Sequence, residues 1–92
     1  MDLSRWPDLE LLLNAARSLP FLQVWLFGSV LRSEDPADLD VLLVYEDRSF
    51  VLALRKMQSW EDFCLPFHLI AMTPLEVAEY EFIARTGAVR VL

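Results

Sequence analysis

Leu9, Leu12, Leu13, Ala16 and Leu19 recur at helical spacing behind Pro7, a residue that suits a helix start because its missing N–H does no harm there. The pattern predicts a helix from about Pro7 to Ser18, ending before Pro20. The run Val24-Trp25-Leu26-Phe27, within Phe21 to Phe27, predicts a buried strand. Gly28-Ser29 turns the chain, and Val30 to Ser33 has room only for a short helix. After a polar turn from Glu34 to Ala37, Asp38 to Tyr45 predicts a second strand, apolar on both faces beyond its first three residues as a central strand is. Ser49 then suits the cap of a helix running to about Trp60. Phe50, Val51, Leu54 and Met57 share one broad face of it, while Arg55, Lys56 and Gln58 face outward.

Pro66 to Met72 predicts a third strand. Thr73-Pro74-Leu75-Glu76 combines a threonine cap, proline at the first helical position and glutamate at the third, which is a capping box. One helix follows, carrying Leu75, Val77, Ala78, Phe82 and Ile83 and stopping before Gly87. Ala88 to Leu92 is left for a last, short edge strand. This alternation predicts an α/β (α+β) layer structure: a small mixed sheet of three to four strands with helices packed on it.

Composition narrows the picture. The 92 residues make a single domain, 1–92, near the lower end of what folds alone by core burial. Yet 55% of them are hydrophobic and mean hydropathy is +0.35, rich for this size. The excess predicts exposed apolar surface, hence a homodimer or a permanent protein partner. Eight basic against fourteen acidic side chains leave a net charge of -6, which argues against direct binding of DNA or RNA, where phosphate neutralisation supplies most of the affinity. A nucleoside triphosphate arrives with magnesium, and an acidic pocket holds that cation. Cys64 is the single cysteine, so neither an intramolecular disulfide nor an all-cysteine metal cluster forms. Met1 to Arg5 lacks the basic leader and apolar core of a signal peptide, and no apolar stretch approaches bilayer-spanning length. A cytoplasmic protein with no membrane partner is the expectation.

The candidate chemistry lies between Phe27 and Tyr45. Asp38 and Asp40, two apart in an extended strand, point to the same face roughly 6–7 Å apart at Cα, while Leu39 points into the core. Such a pair can share one magnesium ion, or hold two about 3.5–4 Å apart for phosphoryl displacement. Alone, such a pair is more often a solvated turn before a strand than a metal site. Asp40, however, adjoins four apolar residues, where an unpaired charge costs stability. Gly28 allows a sharp turn and a close ligand approach. Ser29 adds a hydroxyl, the N–H groups that follow favour an anion, and Arg32 lies a helical turn further on.

Phe27-Gly28-Ser29, Arg32 and Asp38-Leu39-Asp40-Val41-Leu42-Leu43-Val44 resemble the signature of the DNA polymerase beta-like nucleotidyltransferase superfamily, in its minimal (MNT) type. The resemblance implies a nucleotidyltransferase fold, with Gly28, Ser29 and Arg32 binding the triphosphate. It implies Asp38 and Asp40 as ligands of Mg2+, with two ions possible, and transfer of a nucleoside monophosphate, AMP from ATP most simply, to a hydroxyl. Two departures stand out. The spacer from Ser29 to Asp38 is a residue or two shorter than the pattern. The third acid, which in active members sits on a later strand, is replaced: the matching stretch Phe67-His68-Leu69-Ile70-Ala71 offers His68, and no carboxylate occurs between Asp62 and Glu76. His68 alternates in phase with Ile70, so it is expected to face the acid pair, as a metal ligand or proton acceptor or simply as a histidine bonded to backbone. Glu61 and Asp62 could substitute only if their loop folds back.

Two functions follow. The first is an enzyme, a Mg2+-dependent nucleotidyltransferase. The second is a weak or inactive nucleotidyltransferase-fold subunit that binds a helical partner of the HEPN type in a toxin–antitoxin arrangement. The missing third acid and the hydrophobic excess favour the second; the intact Gly-Ser turn and acid pair favour the first.

Overall fold

In a computed structural model, which describes residues 6–33, 35–57 and 67–92, the chain runs α1 (Pro7–Arg17), β1 (Gln23–Phe27), a 3-10 turn (Gly28–Leu31), β2 (Leu39–Val44), α2 (Arg48–Met57), β3 (Phe67–Met72), α3 (Pro74–Glu79), α4 (Phe82–Thr86) and β4 (Val89–Arg90). The strands form one mixed sheet in the order β3-β2-β1-β4. β1 is antiparallel to both β2 and β4, whereas β2 and β3 are parallel. The α+β class and the small mixed sheet expected from the periodicity are both present.

β2 is central, as its apolar run demands: every residue in it except Asp40 is buried. Strand alternation sends Leu39, Val41 and Leu43 to one face. There they pack with Val24 and Leu26 of β1, Leu9, Leu12, Leu13 and Ala16 of α1, and Val51 and Leu54 of α2. Each fully buried leucine contributes roughly 1.5–3 kcal/mol through burial. This face is the core of the molecule.

The other face is built differently. Alternation places Phe27, Asp40, Leu42, Val44, His68 and Ile70 on it. Leu42 and Val44 are buried there, but α3 and α4 contribute no buried residue to cover them. Phe82 of α4 meets Phe27 edge-to-face, with ring centroids 5.0 Å apart and planes at 86°.

Three local expectations need correction. The helix expected over residues 74–86 is two helices, because Glu81 takes a left-handed conformation (φ 50°) that ends α3 at Tyr80 and redirects Phe82 onto Phe27. Ser49 does not cap α2. Asp47 does, its carboxylate accepting from the Ser49 N–H at 2.9 Å and the Ser49 hydroxyl at 2.7 Å, so the helix starts two residues earlier than a Ser49 cap would set, at Arg48. The short helix expected over Val30–Ser33 forms instead as the 3-10 turn beginning at Gly28. The expected end of α2 near Trp60 lies outside the described residues. The capping box forms as expected, Glu76 N–H donating to Thr73 Oγ1 at 3.2 Å and Thr73 N–H to Glu76 Oε1 at 3.0 Å. Among the described residues, no helix is long and apolar enough to cross a membrane.

Candidate functional site

Asp38 and Asp40 bracket Leu39, whose side chain is fully buried. That anchor fixes the strand head. Asp40 is directed to the opposite face, and its neighbours there follow from strand register. Across the antiparallel pair, Phe27 is its Cα partner; across the parallel pair, His68 is. The ladder, rather than a loop, therefore sets the imidazole beside the carboxylate.

His68 Nδ1 lies 3.1 Å from Asp40 Oδ1 and 3.5 Å from Asp38 Oδ2. One potential ligand atom from each of the three residues falls within 4.8 Å of the others, a spacing that can hold a metal ion. The Asp38 and Asp40 side chains are 27% and 18% exposed and that of His68 is 62% exposed, so a solute reaches all three. The imidazole faces the acid pair, as its phase with Ile70 predicted.

Gly28 abuts the cluster. Its φ is +78°, a conformation that L side chains rarely adopt, and a Cβ built on it would collide with Asp40 Oδ2. The turn backbone and the Asp40 carboxylate are thus in direct contact, and glycine is required twice over. Ser29 follows on the exposed surface, its carbonyl accepting from the N–H groups of Arg32 at 3.0 Å and Ser33 at 2.8 Å. Arg32 is exposed just past the turn, and among the described residues its guanidinium has no ion-pair partner.

The structure thus brings Asp38, Asp40, His68 and Gly28 together. Ser29 and Arg32 follow in the turn, and among the described residues neither makes a hydrogen bond or ion pair to the acids. Glu61 and Asp62, the sequence's alternative acids, and Cys64 lie outside the described residues. The Phe27–Phe82 pair, absent from the sequence-based expectations, forms an aromatic edge next to Asp40. Phe27 had a signal, its place directly before Gly28; Phe82 had none, since α4 is set by the unforeseen break at Glu81.

The cluster is an open notch. A cavity of about 280 Å³, lined by Tyr45, Arg48, Arg55 and Glu76 among others, lies past the other end of β2 and shares no residue with it.

No family model matches the sequence, and no curated protein matches it. In three dimensions the chain is similar to a crystal structure of a proposed nucleotidyltransferase. The identity is 22%, the alignment covers 94% of this chain and 96% of that one, and the TM-score is 0.57. At that identity the likeness shows the fold alone. The chain has a nucleotidyltransferase fold.

Proposed function

We propose that this chain is a divalent-ion-dependent nucleotidyltransferase of the minimal type, moving a nucleoside monophosphate (AMP from ATP in the simplest case) onto a hydroxyl acceptor. The observation that carries this reading is the convergence of Asp38, Asp40 and His68 on the Gly28 turn, within a fold similar to that of a proposed nucleotidyltransferase.

The residues present fit a divalent ion: two carboxylates and an imidazole nitrogen at ligand spacing, one carboxylate seated against a glycine whose Cβ would displace it. Asp38 and Asp40 would hold one ion or two. Bound there, the metal would supply charge neutralisation for the phosphates and for the leaving pyrophosphate.

The chain's own groups do the rest by position. The side-chain-free Gly28 lets the Asp40 carboxylate sit against the turn backbone, so that phosphate oxygens held at the turn would lie beside it. The Ser29 hydroxyl and the Arg32 guanidinium would hold those oxygens from the solvent side, Arg32 with two parallel N–H donors. A bond forms between the α-phosphorus and the acceptor oxygen, the bond to the β-phosphate breaks, and the acceptor proton leaves to water, which reaches the open notch. Positioning and charge stabilisation are the main rate contributions in chemistry of this class.

Transfer of label tests the reading. Wild-type protein is incubated with labelled ATP and Mg2+ or Mn2+, with and without protein partners, beside an Asp38→Ala/Asp40→Ala variant. Metal-dependent transfer lost in the variant is the expected result; transfer by neither protein under any condition contradicts it.

A second reading, a partner-binding subunit with little transfer activity, is favoured by one observation. Large apolar side chains stand in solvent, Phe21 at 75% and Leu75 at 68% exposure. A helical protein of the HEPN type, or a second copy of this chain, would cover them, and partner binding unaffected by the double substitution is its signature.

A further inference from the structure

We infer that the Asp38–Asp40–His68 cluster selects manganese(II) over magnesium, with the His68 Nδ1 as a direct ligand. The inference rests on the proposed reading of the cluster as a divalent-ion site and says which of these two ions it favours.

The donor set is the first argument. Magnesium takes hard oxygen ligands in near-ideal octahedral geometry and sheds water reluctantly. Imidazole nitrogen is a donor for first-row transition ions rather than for magnesium, and Mn2+, the first and weakest of the divalent series, is the one that also shares magnesium's preference for carboxylate oxygen. A neutral imidazole in place of a third carboxylate removes one negative charge from the site. Magnesium, held almost wholly by charge, loses most by the exchange. Manganese accepts both carboxylate oxygen and imidazole nitrogen, and it tolerates the phosphate oxygens a nucleotide would add.

The second argument is placement. His68 sits at the register position facing Asp40 across the parallel β2–β3 pair, so the backbone ladder holds its imidazole against the acids. The side chain is 62% exposed, so core packing does not explain its orientation. Its ion-pair contacts among the described residues are the two aspartates, both made through Nδ1. Asp40, pressed against Gly28 on one side, presents its other oxygen, Oδ1, to that nitrogen.

The test uses the full chain and the bare ions. Mn2+ and Mg2+ affinities are measured by calorimetry for wild type, His68→Asp, His68→Gln and Asp40→Asn, each first shown to be folded by circular dichroism. Pulsed electron paramagnetic resonance on the Mn2+ complexes reads nitrogen coupling directly. Wild type is expected to bind Mn2+ more tightly than Mg2+, with a nitrogen-14 signal. His68→Gln loses that signal and weakens Mn2+. His68→Asp loses it too but strengthens Mg2+, so the Mn2+/Mg2+ ratio falls. Saturable Mn2+ binding without nitrogen coupling, or an equal ratio in wild type and His68→Asp, overturns the inference and leaves the metal-site reading standing. No saturable binding of either ion, or binding unchanged in Asp40→Asn, removes the metal-site reading and the inference with it.

Discussion

The two faces of the sheet are made from the same strands and do opposite things. Toward α1 and α2, Leu39, Val41 and Leu43 enter a core with no exposed member. On the other face, Asp40 and His68 stand beside Leu42 and Ile70, and the two short helices α3 and α4 contribute no buried residue of their own. Along β2 the two roles alternate residue by residue. The dense face therefore carries the stability, and the sparse face is free to carry like charges close together. A chemical cluster costs the fold little when the opposite side of the same strand is well packed.

The sharpest way to break this contrast is to substitute neighbours on β2. Leu39→Ala removes a fully buried side chain and is expected to cost about 2–5 kcal/mol in denaturant unfolding. Asp40→Asn, one residue away, is expected to leave metal-free stability equal or higher, because two carboxylates within 4.8 Å repel one another. If Asp40→Asn destabilises as much as Leu39→Ala, the division between the faces fails.

Gly28→Ala probes where the two roles meet. The left-handed backbone alone sets a cost of about 1–2 kcal/mol, and the added Cβ must displace the Asp40 carboxylate. The expected outcome is a moderate fall in melting temperature with a disproportionate loss of Mn2+ affinity. Equal metal affinity in the variant would show that the turn does not shape the site.

The smallest effect belongs to a pH titration at α2. The Ser49 hydroxyl first, and the Ser49 N–H second, hold the Asp47 carboxyl below its ordinary value of 3.8. A lowered folded-state value means that the stabilisation is fully present above pH 3.8 and is lost as pH falls through the lower folded value. Asp47→Asn should therefore flatten the acid limb of the stability curve slightly and leave neutral pH nearly unchanged. Because Asp47 is fully solvent-exposed, its effect stays below that of either substitution above; an acid limb unchanged in the variant removes the cap from the account.

The division between faces was partly legible beforehand. The apolar run from Val41 to Val44 marks a central strand, and the two-residue spacing of Asp38 and Asp40 puts both acids on one side, since both are local properties. The capping box at Thr73 was legible for the same reason. The break at Glu81 was not, because neither glycine nor proline marks it and a glutamate seldom adopts a left-handed backbone. The cap of α2 was misplaced because Asp47 and Ser49 are both good caps two residues apart, and only the structure shows the first accepting from the second. That His68 faces the acids was expected from its phase, but its pairing with Asp40 depends on the register of strands distant in sequence, which no local pattern fixes.

One measurement addresses the central claim directly: thermal unfolding of wild type and Asp40→Asn with ATP, with and without Mn2+. Wild type should gain roughly 2.7 kcal/mol at a hundredfold excess over the dissociation constant, only when ion and nucleotide are both present, and Asp40→Asn should gain nothing. Equal stabilisation of the two proteins, or none in wild type, would contradict a nucleotide site built on this pair of aspartates.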